Sequence, residues 1–229
     1  MLSAGGWAFV AASSLILGAF VAQTFTVSPR FVGEAMAFGA GALIGALAYE
    51  LIPNENISDV EIWVSFGLGA IVFYALDGFI EARNRTGSRG TAIALGALLD
   101  GIPESIVLGI SLALGGSVSV GFLGAVLVSN VPEGLSATSE MRSTSSPSRL
   151  YRMWLAIAVV SGIAGALGYA AARWMPGVDG RDIQAFAAGA VLTMLASSMI
   201  PEAYEEGGRR VSLFTALGFA IAAVLTTLD

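Results

Sequence analysis

The stretch Phe38-Gly-Ala-Gly-Ala-Leu-Ile-Gly-Ala-Leu-Ala-Tyr-Glu-Leu-Ile-Pro53 returns as Phe186-Ala-Ala-Gly-Ala-Val-Leu-Thr-Met-Leu-Ala-Ser-Ser-Met-Ile-Pro201, with eight of 16 positions identical and no gap. Chance explains matched Ala and Gly between two small-residue helices. It explains the aligned Phe and the terminal Ile-Pro less well, so the two stretches are read as an internal repeat. Each lies within a run of about 20 apolar residues, the length that spans hydrocarbon. Working outward, eight such runs are expected, roughly 3–25, 31–52, 61–80, 91–115, 118–141, 152–175, 182–205 and 211–228. With short loops they occupy the chain, so 1–229 reads as a single transmembrane domain, all-α and polytopic. The first run has no basic segment before it and reads as a retained span, not a cleaved signal.

Composition agrees. Of 229 residues, 55% are hydrophobic and 12% charged, with a mean hydropathy of +0.78. A soluble domain carries about a quarter charged residues, and a disordered chain lacks this much apolar surface. The 29 glycines suit close helix packing in lipid, and Gly41-x-x-x-Gly45 is one such pair. Cysteine and histidine are both absent. That excludes disulfides, thiol chemistry, zinc fingers and haem ligation by histidine. The net charge of −6 argues against a nucleic-acid partner.

Every basic residue is Arg. Loops 1–2, 3–4, 5–6 and 7–8 hold Arg30; Arg83, Arg85 and Arg89; Arg142, Arg149 and Arg152; and Arg209 and Arg210. Only Arg173 and Arg181 fall on the other side. The positive-inside rule then places both termini outside, here of a prokaryotic cell (inner) membrane. The acidic 2–3 loop, Asn54–Glu61, falls outside too. In that topology spans 2 and 7 run in opposite directions. The repeat is therefore inverted, as in secondary transporters. Asp100-Gly-Ile-Pro-Glu104 in span 4 and Ser129-Asn-Val-Pro-Glu133 in span 5 form a second antiparallel pair, giving a 3+2+3 plan.

Asp100, Glu104 and Glu133 lie well inside these spans. An ionised carboxylate at mid-span costs roughly 2.5–3.5 kcal/mol on insertion scales. No Arg lies centrally in any span to offset it, which leaves a bound cation or protons. Asp100 and Glu104 share a helix face at i,i+4, as do Ser129 and Glu133. Pro103 and Pro132 leave the carbonyls of Leu99 and Val128 without a helix donor. Carboxylates, freed carbonyls, Asn130 and Ser129 make an oxygen-rich cage for a divalent cation. One Pro-Glu motif reads equally well as a simple kink. Two in facing helices, with a third acid, favour a site.

These motifs, with Phe38-x-Ala-Gly-x-x-x-Gly45 in span 2 and Phe186-Ala-Ala-Gly…Ile-Pro-Glu-Ala203 in span 7, resemble the ZIP (zinc/iron-regulated transporter-like) metal transporter family over spans 2 to 8. The resemblance implies that Asp100 stands where the family has a metal-binding His. Glu104 and Glu133 match its glutamate ligands, and Asn130 takes a position that is often acidic. Gly101 replaces an Asn that helps hold a second metal, and span 6 has no acid, so one metal site is expected. The family's His-rich 3–4 loop is missing; Glu81–Gly90 is Arg-rich instead. The resemblance also implies elevator-like movement of spans 1, 4, 5 and 6 against spans 2, 3, 7 and 8, often within a homodimer.

The expected function is transport of a divalent ion by alternating access, without enzymatic activity. The ion is substrate, not prosthetic group: zinc first, with iron, manganese, cobalt and cadmium open, since carboxylates replace imidazole. Metal binding among clustered acids is expected to release protons. Glu50, Glu55, Asp59, Glu61, Asp179 and Asp182 make an acidic outer entrance, or only a solvated surface. Asp77, Glu81, Glu140, Glu202, Glu205 and Glu206 are exit-side acids, read first as snorkelling helix-end charges. The alternatives are a non-transporting sensor or structural homologue, an intramembrane aspartyl protease using Asp77 and Asp100, and a proton-coupled carrier of another solute.

Overall fold

The computed structural model describes residues 1–51, 59–84, 89–115, 119–174 and 180–225, with the side chains of 83, 84, 89–92 and 115 left aside. Among the described residues the chain is helical throughout, without strands. The α-helices are α1 (Leu2–Thr24), α2 (Pro29–Ala46), α3 (Val60–Asn84), α4 (Arg89–Gly115), α5 (Val120–Met141), α6 (Pro147–Trp174), α7 (Gly180–Met194), α8 (Ile200–Gly207) and α9 (Val211–Leu225). Seven stretches are long and apolar enough to cross a membrane, the last being the 46 residues Gly180–Leu225. The chain is an integral membrane protein on that count. Leu68, Ile71 and Phe79 on α3, Leu155 and Leu167 on α6, and Leu213 and Leu217 on α9 are exposed in the manner of lipid-facing side chains.

Local chemistry sets the helix ends. Ser28 caps α2, its Oγ accepting from Phe31 N at 3.3 Å, and Pro29 follows at the first helical position. Ser119 caps α5 the same way, accepting from Phe122 N at 3.0 Å. Gly208, at φ 63°, breaks the 46-residue stretch. A continuous helix of that length would run about 70 Å, more than twice the hydrocarbon thickness. The chain instead turns back. Gly33 near the start of α2 abuts Ala203 and Gly207, whereas Gly41 and Gly45 further along abut Thr215 and Ala222.

Two five-residue π-helical turns, Leu47–Leu51 and Leu195–Met199, occupy the same positions of the two matched stretches. Pro201 offers no N–H to the carbonyl of Ser197, which frees the preceding turn to widen. Pro103 and Pro132 lie inside α4 and α5, and both helices continue through them.

The helices sort into two groups, each held by backbone-close glycine crossings. In the first, a Cβ at Gly18 (α1) would sit 2.1 Å from Val131 O, and one at Gly134 (α5) 2.4 Å from Leu15 O. Gly109 (α4) similarly meets Gly165 O at 2.0 Å and Gly168 (α6) meets Ile106 O at 2.5 Å. The second group has one such contact in two places. A Cβ at Gly41 or Gly218 would strike Thr215 O or Phe38 O, where α2 crosses α9. A Cβ at Gly189 or Gly69 would strike Phe66 O or Phe186 O, where α7 crosses α3. The first group is thus α1, α4, α5 and α6. The α2–α9 and α3–α7 pairs, linked through α8, which Gly33 brings against α2, make the second. Between the groups α2 packs along α5, and α4 faces α7. A wholly apolar cleft of about 550 Å³ also opens on this boundary, walled by Val72, Ile102, Leu167 and Phe186.

Any side chain at these crossings must force two backbones apart. Gly189→Val is expected to destabilise the protein by about 1–3 kcal/mol or more, read as a lower thermal-unfolding midpoint in detergent. Gly6→Val, with no atom within 4 Å of its would-be Cβ, is expected to leave the midpoint unchanged. Equal midpoints for the two variants would refute this packing.

Candidate functional site

The boundary between the groups holds a cavity of about 160 Å³ whose walls include Asp100 of α4, Glu133 and Glu140 of α5, Ser198 and Glu202 of the α7–α8 segment, and Met36 of α2. Asp100 is buried there and Glu133 half-buried. Exposed Glu140 marks the mouth. Leu43, Leu47, Val107, Phe122, Val126 and Leu195 belong to the main apolar core.

The mouth is at the Arg-rich end of the bundle. Arg142 there donates through Nη1 to Ala22 O at 3.1 Å, tying the ends of α5 and α1 together. Arg30 and Arg210 reach Glu34 at 3.5 and 3.8 Å, bringing the start of α2 beside the α8–α9 turn. Among the described residues, no arginine lines the cavity.

Two of the cavity acids take hydrogen bonds across the boundary. Ser198 Oγ donates to Asp100 Oδ2 at 2.7 Å. Ser136 Oγ, on α5, donates to Glu202 Oε1 at 2.6 Å.

The expected site residues fall into two sets. Asp100 and Glu133 face the cavity. Glu104, one turn further along α4 and 3% exposed, is not among its lining residues. Ser129 and Asn130 do not line it either. Ser129 donates to Val126 O at 3.0 Å, and its Cα lies where Gly39 brings α2 closest to α5. Asn130 donates through Nδ2 to Ala11 O at 3.1 Å, a tie within the first group. Among the described residues, no three His, Cys, Asp or Glu side chains form a group that could hold a metal ion. Gly101 faces Ser161 of α6, whose Oγ is buried without a hydrogen-bond partner.

Glu202 and Glu140 were assigned to the exit side from sequence, and the cavity contains both. Ser198 carried no signal of its own beyond its place in the repeat, opposite Glu50. An aspartyl dyad needs Asp77 beside Asp100. Asp77 is not a cavity residue, and Asp100 Oδ2 is engaged by Ser198. Of the outer acids, Glu50 accepts a hydrogen bond from Ser119 Oγ across the boundary. Asp59, Glu61 and Asp182 lie at helix starts on that end. Glu55 and Asp179, and Arg85 in the 3–4 loop, lie outside the described residues.

Comparison with protein-family models and with curated proteins returned no match.

The bond from Asn130 to Ala11 O makes Asn130 a tie between α5 and α1. Asn130→Leu is expected to lower stability by about 1 kcal/mol, read as a lower unfolding midpoint. An Asn130→Leu protein as stable as the parent would remove that assignment.

Proposed function

We propose that the protein carries a divalent transition-metal cation across the membrane through the Asp100–Glu133 cavity, by alternating exposure of the two sides. The observation that carries this reading is buried Asp100 and half-buried Glu133, from two helices, lining a cavity with no cationic side chain among the described residues of its wall. An anionic pocket at this depth is expensive unless a cation or protons fill it. The cavity has room for an ion with several of its waters. Asp100 and Glu133 take the ion directly, and water completes the shell, consistent with the lack of a three-acid group. Zinc, iron, manganese, cobalt and cadmium all accept such oxygen ligands.

In this reading the 46-residue stretch crosses the bilayer twice, turning at Gly208, for eight crossings in all. The matched π turns and the twice-repeated glycine contact support an inverted 3+2+3 repeat. The Arg-rich end faces the cytoplasm. The cavity then opens inward, and transport consists of the first helix group sliding against the second. This mode of movement, and membership of the ZIP family, rest on the sequence resemblance.

Purified protein in liposomes should take up at least one of these ions. Asp100→Ala and Glu133→Ala should each reduce uptake at least tenfold. Uptake of no ion, or uptake indifferent to both changes, defeats the proposal. Ion binding without flux would favour a sensor.

A further inference from the structure

Among the described residues, three side-chain hydrogen bonds that pair a serine with a carboxylate join the two helix groups. Ser198 of the second group holds Asp100 of the first. Ser136 of the first holds Glu202 of the second. At the far end, Ser119 of the first holds Glu50 of the second. The first two flank the cavity and run in opposite senses. Each group thus supplies one donor and one acceptor.

The placement is not incidental to one side chain. Ser198 lies in the π turn Leu195–Met199, and Glu202 follows it by four residues, so one helix face presents both. Glu133, Ser136 and Glu140 fall three and four residues apart and share a face of α5. Ser198 and Glu50 occupy the same position of the two matched stretches, each within a π turn and each bonded to the other group. Where one stretch carries the acid, the other carries the hydroxyl.

We propose that Ser198 and Ser136 are positioning residues that clasp the two helix groups in the arrangement with the cavity open at the Arg-rich end, each by holding a carboxylate of the other group. A hydroxyl bonded to a carboxylate gains more than a neutral pair, yet only enough to bias one arrangement over another. Serine suits such a clasp. It adds no charge to a lipid-depth boundary, and its bond can break without stranding a cation. The inference rests on the transport reading only for what the motion carries. The clasp concerns the motion itself.

The chain has no native cysteine, so a single cysteine replacing Ala97 on the cavity wall is an unambiguous reporter. In reconstituted vesicles, a small charged methanethiosulfonate reagent applied at the Arg-rich side should label it readily. Ser136→Ala combined with Ser198→Ala should slow that labelling about fivefold or more, because the closed arrangement gains population. Ser136→Thr with Ser198→Thr, which keeps both hydroxyls, should label like the parent. A cysteine at exposed Ser146, on the α5–α6 connection, should label equally in every background, each first isolated as the same species by size exclusion. Unchanged Ala97 labelling in the double-alanine protein overturns the clasp. So does a double-threonine protein as slow as the double-alanine one. Labelling needs no metal. A shift without ion uptake rejects the transport reading alone, and uptake without a shift rejects the clasp alone.

Discussion

Carboxylates set within apolar spans, with no arginine among the described residues of the cavity they line, govern the rest of this structure. Such a group is tolerated only where something replaces bulk water. The protein supplies part of the replacement with serine hydroxyls on Asp100 and Glu202. A neutral donor offsets a fraction of the lost hydration of a charge, so water, a proton or a cation must provide the remainder. That requirement forbids a fully packed core at Asp100 and Glu133. A cavity there follows, and with it a seam between two bodies of helix.

Glycine shows where the bodies end. Within each group, backbones cross so closely that even one methyl at Gly18, Gly109, Gly41 or Gly189 would strike a carbonyl oxygen. In lipid, where apolar surface gains little by leaving the solvent, this interlocking of backbone and small side chains is the main source of cohesion. The boundary is different in kind. It holds the acidic cavity on one flank and the apolar cleft of about 550 Å³ on another. Its one backbone-close glycine contact sets Gly39 against Ser129. Most of the backbone-close crossings thus lie inside the groups, and the voids lie between them.

Much of this was legible in the sequence, for identifiable reasons. Apolar run length located the helices to within a few residues, α6 starting five residues before its expected span. The end-to-end segregation of arginine anticipated that Arg30, Arg142 and Arg210 would gather at one end. Asp100 and Glu133 stood out because a charge in an apolar run has no ordinary explanation. Helical spacing alone did not decide which neighbours accompany them. Ser129 and Asn130 share the motif of Glu133, but side chains one residue apart on a helix point about 100° apart. They were claimed by α2 and α1 instead. Glu202, read from sequence as an exit-side acid, lines the cavity, but its bond to Ser136 depends on how α8 sits against α5, which no linear count contains.

The π turns account for Ser198. A turn with one extra residue rotates everything beyond it relative to a regular helix, so a side chain that periodicity assigns to one face emerges on another. No composition signal marks Leu195-Ala-Ser-Ser-Met199 as wider than its surroundings. The clue was the alignment with Leu47-Ala-Tyr-Glu-Leu51, where the second stretch also places a polar residue fourth in the turn. Glu50 there meets a serine of the opposite group, and Ser198 meets an acid of the opposite group. In one stretch the π turn supplies the acid and in the other the hydroxyl, so the same local geometry joins the two helix groups at both ends of the boundary.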